Sequence, residues 1–432
     1  MASKSFWKWA TLALVAALVL AYGNQAQQSA WTTVELQKAG FGAGDLVLNP
    51  DMAADSRNPD DPNDDHIYVV KVRWSAEGWK IVLMVSKNSG STWEEFEVKS
   101  CTAPCVQPAV DVDSFPEFDK VCVAWMDQTP GILDIFARCA TVKDGEKAQV
   151  EWQSDPVNVS NSALSASGLI RLQRDWDGNM DLALNSHERC LTDGHPLAIA
   201  VWTESLNTPT YSLSKDGITW SAAASLPQSS PPQVRYPKVY VDDDGNIWVA
   251  ANQTSQDSDV YVTKSEDCGQ SWSDPVNATG NGGFSDASGI VRIGDNVYIV
   301  NDDTTNNPEN ADVNMAVSKD GGQTWAGTNS IATDGAFPDI DTDGTNLYVV
   351  FNSIPGGDSA AVGFICSTDG GATWKRDDIP DSAPNTLGIR LATGLNISDS
   401  VIIVDRQSVY VAWLKWEEGE STQVMFSKRT GC

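Results

Sequence analysis

The sequence predicts an all-β protein, a β-propeller of seven four-stranded blades in which the N-terminal strand completes the last blade. Three observations carry this prediction. An eight-residue turn pattern recurs five times, and a β-branched and aromatic run recurs seven times. The chain also ends in half a turn pattern, whose other half stands near its start.

The first segment reads as an address. Lys4 and Lys8 precede an apolar run over residues 11–22, with small residues at Ala21, Gly23 and Ala26. This is the pattern of a secretory signal peptide, and the run is shorter than the ~20 residues of a membrane span. The expected division is residues 1–26 as signal and 27–432 as one propeller domain. No stable membrane insertion is expected once the signal is cleaved. The rival reading is an uncleaved anchor.

The second strand of each unit comes next. It reads Ile67-Tyr-Val-Val-Lys71, Val121-Cys-Val-Ala-Trp125, Ala198-Ile-Ala-Val-Trp202 and Ile247-Trp-Val-Ala-Ala251. The later copies are Val297-Tyr-Ile-Val-Asn301, Leu347-Tyr-Val-Val-Phe351 and Val409-Tyr-Val-Ala-Trp413. Continuous apolar runs of this length suit strands buried on both faces. Before four of them stands a Pro with Asp five residues on: Pro50 and Asp55, Pro108 and Asp113, Pro237 and Asp242, Pro338 and Asp343. These are read as innermost strands. The longest interval between second strands contains an insertion over residues 185–196.

The turn pattern follows the third strand. It reads Ser318-Lys-Asp320-Gly-Gly-Gln-Thr-Trp325, Ser367-Thr-Asp369-Gly-Gly-Ala-Thr-Trp374 and Ser265-Glu-Asp267-Cys-Gly-Gln-Ser-Trp272. Ser86-Lys-Asn88-Ser-Gly-Ser-Thr-Trp93 has Asn for Asp, and Ser214-Lys-Asp216-Gly-Ile-Thr-Trp220 is one residue shorter. Asp or Asn caps backbone N–H groups of a hairpin turn, Gly takes φ > 0, and Trp opens the outer strand. Radial repetition of such units makes a propeller. The segment Ser427-Lys-Arg-Thr-Gly431-Cys432 is the first half of one more turn, and Trp31-Thr-Thr-Val34 resembles its missing half. Residues 31–36 are therefore expected to pair with the strand near Ser427, removing two open edges.

The turn pattern resembles the Asp-box (BNR) repeat of the sialidase-like β-propellers. The resemblance covers nearly all of the mature chain. It implies the propeller fold and a structural role for the box residues. The sialidases' own propeller has six blades, which is the alternative to the seven counted here. A sialidase also carries a Phe/Tyr-Arg-Ile-Pro motif before its first box, supplying one of three arginines that hold the sialate carboxylate. Residues 41–65 contain no such motif, and their only arginine is Arg57.

Eight cysteines in a mature secreted chain imply disulfides. The blade register pairs Cys122 with Cys139 on adjacent strands and Cys190 with Cys268 on the box face. It pairs Cys366 with Cys432 between neighbouring blades, and Cys101 with Cys105 within one linker. The implied localisation is secreted or cell-surface.

Composition excludes several functions. With 29 Lys+Arg against 58 Asp+Glu the net charge is −29, which disfavours nucleic acid and anionic membranes as partners. Three scattered His, no CxxC and no phosphate loop leave zinc, haem, iron–sulfur and nucleotide chemistry without ligands. The one cofactor the sequence admits is a structural calcium ion, at Asp339, Asp341 and Asp343 or in the cluster Asp55, Asp60, Asp61, Asp64, Asp65. Asp and Gly also build plain hairpin turns, and that reading is preferred.

Candidate ligand residues are Arg171, Arg235, Tyr236 and Arg292, expected as a cationic patch at the channel mouth. The competing reading has these arginines neutralising inner-strand aspartates such as Asp51, Asp111 and Asp339. Asp127 and Glu204 follow Trp125 and Trp202 on the face opposite the boxes, where a sugar could stack and a carboxylate pair could work as acid and base. The first functional reading is a non-catalytic module binding an extracellular glycan or protein. The alternatives are a divergent sialidase-like glycoside hydrolase on acidic sugars, and a cell-surface assembly component bearing sequons at Asn158, Asn252, Asn277 and Asn396.

Overall fold

The computed structural model describes residues 30–36, 46–56, 64–161, 180–382 and 401–432, apart from short stretches within these. Strand β1 (Thr32–Glu35) precedes the first blade, which is β2 (Leu46–Ser56), β3 (Asp65–Ser75), β4 (Gly78–Ser86) and β5 (Glu94–Cys101). The second is β6 (Cys105–Phe115), β7 (Phe118–Asp127), β8 (Asp134–Lys143), β9 (Gln149–Trp152) and β10 (Val157–Asn158). Both β9 and β10 pair with β8, so this outer strand comes in two pieces. The third is β11 (Met180–Asn185), β12 (Leu197–Glu204), β13 (Thr208–Ser214) and β14 (Ala224–Ser225). The fourth is β15 (Val234–Val241), β16 (Ile247–Gln253), β17 (Val260–Ser265) and β18 (Val276–Asn277). The fifth is β19 (Ser285–Ile293), β20 (Asn296–Asp303), β21 (Asp312–Ser318) and β22 (Thr328–Ala332). The sixth is β23 (Gly335–Thr342), β24 (Leu347–Ser353), β25 (Ala361–Ser367) and β26 (Lys375–Arg376). The seventh is β27 (Val401–Asp405), β28 (Ser408–Lys415) and β29 (Gln423–Thr430), completed by β1.

Seven antiparallel blades thus replace the alternative of six. The ring closes as the split turn pattern predicts, with Thr32 opposite Lys428 and Glu35 opposite Met425. Trp31 stacks edge-on against Phe364, and its Nε1 donates to the Asp377 carbonyl at 3.0 Å. Among the described residues there is no helix, and none long and apolar enough to cross a membrane.

The core lies in the seams between blades. The fifth residue of the second strand faces the preceding blade. Trp125 joins the apolar cluster of blade one, Phe351 that of blade five, and Trp413 that of blade six. On the channel side, the blades are laced by aspartates. Oδ2 of Asp51 accepts from Val110 N at 2.7 Å, Asp111 from Leu184 N at 2.7 Å, Asp181 from Val239 N at 2.9 Å and Asp339 from Ile402 N at 3.0 Å. These four inner strands so satisfy a donor of the next one, which a sheet cannot do across a blade boundary.

All four expected disulfides form: Cys101–Cys105, Cys122–Cys139, Cys190–Cys268 and Cys366–Cys432, with Cα separations from 4.1 to 6.2 Å. Four bridges fit an oxidising, extracytoplasmic environment.

Candidate functional site

Strand direction divides the molecule into two faces. Hairpins joining first to second strands lie on the same face as the Ser-x-Asp turns. Second-to-third connections and the starts of inner strands lie on the other. The Ser-x-Asp turns are built from internal hydrogen bonds. In one, Gly322 N donates to Ser318 Oγ at 2.9 Å and Thr324 N to Asp320 Oδ1 at 2.8 Å. The Thr324 hydroxyl donates to Asp320 at 2.6 Å, and this bond leads in drawing the carboxyl down to about 2. Asp369 repeats the arrangement with Thr373, and Asp267 with Ser271. Asp216 Oδ1 accepts from Ile218 N and Thr219 N, and Asn88 Oδ1 from Thr92 N at 2.8 Å.

The face opposite these turns receives Asp127, Glu204, Arg235 and Tyr236. Asp127 is buried; its Oδ1 accepts from Thr129 N at 2.7 Å and its Oδ2 from Trp125 Nε1 at 3.4 Å. Glu204 is half-buried and its Oε2 accepts from Trp202 Nε1 at 2.9 Å. Trp125 and Trp202 are fully buried. They brace the two carboxylates from beneath, and neither indole offers the sugar-stacking surface expected from the sequence.

Arg292 lies at the opposite end of its inner strand, where it pairs with Val297 beside the hairpin. Its Nη1 reaches Asp242 at 2.7 Å and Asp244 at 2.6 Å. Arg235, second in its own strand and opposite Asn252, is therefore on the other face. A patch combining Arg235 with Arg292 does not form, because an arginine early in an inner strand and one late in it emerge at opposite ends of the channel. Arg292 instead holds aspartates of the neighbouring hairpin. Arg171 lies outside the described residues.

The Asp339, Asp341 and Asp343 series does not converge either. Asp339 and Asp341 accept from Ile402 N and Val404 N of blade seven. Asp343 caps its own hairpin through Thr345 N, Asn346 N and the Tyr348 hydroxyl. The turn reading describes Asp343, while Asp339 and Asp341 lace blade six to blade seven. The sequons behave similarly. The Asn158 and Asn277 amides donate to Asp134 and Asp259, Asn252 is 1% exposed, and Asn396 lies outside the described residues.

Three features escape the sequence reading. First, the inner strands bulge at a shared position, next to the fifth residue of the second strand. In three of them the residue before proline has φ near +50°: Gln107, Tyr236 and Phe337. A left-handed conformation before proline is costly and persists only where the surroundings impose it. Proline signalled the inner strand, but nothing local announced the backbone reversal. Phe337 N is turned to Asp302 Oδ2 of blade five, at 3.3 Å.

Second, the channel concentrates carboxylates. Burial, then the charge of Asp181, raises Asp51 to about 7, with Lys238 opposing and Asp339 adding. Burial raises Asp339 to about 6 and lifts Asp181. These residues sense one another from blades one, three, four and six, across the channel.

Third, Trp74 is 38% exposed at the tip of the β3–β4 hairpin, opposite Trp79 in the register. The rings lie 6.1 Å apart at 47°. Next to them along the same two strands, Lys80 pairs with Glu77 (3.0 Å) and Glu97 (3.6 Å) and Arg73 with Glu95 (3.7 Å), on the other face of the hairpin. Ile132, 37% exposed on the corresponding connection of blade two, shares this face.

No protein-family profile matches the chain, and no curated protein matches it. Solved structures do. A Dyadobacter fermentans protein of unknown function is 13% identical with a TM-score of 0.54, over 92% of this chain and 98% of that one. The polysaccharide lyase Uly1 is 10% identical with a TM-score of 0.55, over 94% of each chain. A Trypanosoma rangeli sialidase in complex with sialic acid is 11% identical with a TM-score of 0.47, over 92% of this chain and 58% of that one. At these identities the likeness to the first two is one of fold alone.

Proposed function

We propose that this protein is a secreted, non-catalytic Asp-box propeller that binds a polysaccharide on the face opposite its Ser-x-Asp turns. The exposed Trp74, paired with Trp79 at the tip of a hairpin that also carries charged side chains, carries the reading. An indole face stacks on the apolar face of a sugar ring, while neighbouring carboxylates and cations bond its hydroxyls. The structural likeness to a polysaccharide lyase over nearly the whole chain supports the ligand class. The non-catalytic part rests on Asp127, whose carboxylate is committed to Trp125 and Thr129. Acid–base work needs a carboxyl within reach of substrate.

The second reading, a divergent glycoside hydrolase on acidic sugars, draws on half-buried Glu204 and on Arg235, which share this face. One experiment separates the two. Purified protein is applied to a glycan array and assayed on the captured glycans for reducing ends and for unsaturated products. Binding without turnover, lost in Trp74→Ala, is expected. Turnover lost in Glu204→Gln supports the hydrolase, and binding unaffected by Trp74→Ala removes the aromatic platform from the proposal.

A further inference from the structure

The seam between blades four and five changes chemistry along its length. The odd-numbered residues of β20 face blade four: Val297 and Ile299 pack there with Val260, Val262 and Ala278. The next two in that series are Asn301 and Asp303. Directly opposite them on β21 stand Asn314 and Asp312. Side chains two apart on a strand, and those directly across from them, share one face. Blades two, three, six and seven fill the place of Asn301 with Trp125, Trp202, Phe351 and Trp413, all fully buried.

Blade five has two primary amides there instead, with Asn301 0% and Asn314 3% exposed. The Oδ1 atom of each accepts no hydrogen bond from any described residue. A buried carbonyl oxygen without a donor is costly, and two side by side are a signal of something bound. Asp303, 1% exposed, follows on the same face, its Oδ2 held by Ser285 Oγ at 2.9 Å and by the Asn281 amide, its Oδ1 by Thr305 N at 2.6 Å. Among the described residues no basic side chain pairs with Asp303. Its cross-strand neighbour is another buried carboxylate, Asp312.

We infer that Asn301, Asn314, Asp303 and Asp312 form a buried site for a hard divalent cation, with calcium matching the donor set. Two residues of strand span about 6.8 Å, and calcium–oxygen bonds of about 2.3–2.6 Å let one ion bridge successive side-chain pairs. Amide and carboxylate oxygens are calcium's ordinary ligands, and its flexible coordination suits a sheet face. Magnesium keeps its waters and demands a tighter octahedron, which a buried seam supplies poorly. The ion satisfies both amide oxygens. It ties β20 to β21 at the end from which the blade-five connection leaves, on the face proposed for the glycan.

Calorimetry and thermal melting of the full chain test this, after EDTA treatment and dialysis, with calcium chloride as the probe. The wild type is expected to bind calcium with heat and to melt about 3–5 °C higher at saturation. Asn314→Ala is expected to bind at least about tenfold more weakly, while Asn314→Asp, which keeps an oxygen in place, retains the response. A wild type with neither heat nor shift overturns the inference. So does an Asn314→Ala variant whose calcium response equals that of the wild type, because the ion then binds elsewhere.

Discussion

Lys71 Nζ donates a 2.7 Å hydrogen bond to the carbonyl oxygen of Leu36, and the lysine is fully buried. The amine occupies the place that tryptophan fills in blades two, three and seven. It anchors Leu36, the residue after β1, so an amine held out of water takes part in the ring closure. Burial pulls the amine down to about 8, with Glu95 opposing and Arg73 adding.

That shift makes a pH prediction. The unfolded chain keeps this proton to about 10.5, the native state only to about 8, so Lys71 costs stability below pH 8 and the cost fades between 8 and 10.5. Lys71→Met lacks the titration. The wild type is therefore expected to gain on the variant between pH 7.5 and 10, by on the order of 2–3 kcal/mol in denaturant melts. Parallel pH profiles would show that the amine is solvated.

The channel aspartates act in a lower window. Asp51 and Asp113 are raised to about 7 and Asp339 to about 6, in each case by burial first. Between pH 4 and 7 the native state holds protons that the unfolded chain has released, so stability falls as pH rises through that range. Asp51→Asn keeps an acceptor for Val110 N and removes the charge. It is expected to stabilise by on the order of 2 kcal/mol at pH 8 and to be near neutral at pH 4. A variant equally stable or less stable than wild type at pH 8 contradicts the buried-charge account.

Two adjacent glycines separate backbone strain from crowding. Gly321 has φ +67° and open space at its Cβ position, whereas Gly322 has φ +82° with Trp248 Cζ3 only 2.7 Å away. Gly321→Ala is expected to cost about 1 kcal/mol, from the backbone alone. Gly322→Ala is expected to cost about 3 kcal/mol, since it must also displace a core indole of the preceding blade. Thermal melts showing equal losses would mean that Trp248 yields freely.

Ring closure gives a fourth prediction. Deleting residues through Leu36 leaves β29 as an open edge and uncovers Phe364, which Trp31 packs against. A lower Tm and concentration-dependent light scattering are expected. An unchanged melt would show that β1 contributes nothing to closure.

The legible part of this protein was its repetition. Seven apolar second strands, five Ser-x-Asp turns and a turn split between the termini foretold the blade number, the closing strand and, through the register, all four disulfides. Each rests on periodicity and chain direction, which are local properties of a sequence. The candidate site was legible only in part. Asp127 and Glu204 were placed on their shared face by the same logic, whereas Arg235 and Tyr236 were expected beside Arg292, from which the strand direction separates them.

What the tertiary structure alone decided was accessibility and convergence. Trp125 and Trp202 are core residues, while Trp74, in an equally aromatic stretch, meets solvent. Arg292 is held by Asp242 and Asp244 at the far end of the channel from Arg235. Asp51, Asp181 and Asp339, remote in sequence, share one electrostatic environment because three blades face a common axis. Burial and proximity of this kind depend on the curvature of the whole ring, which no single repeat encodes.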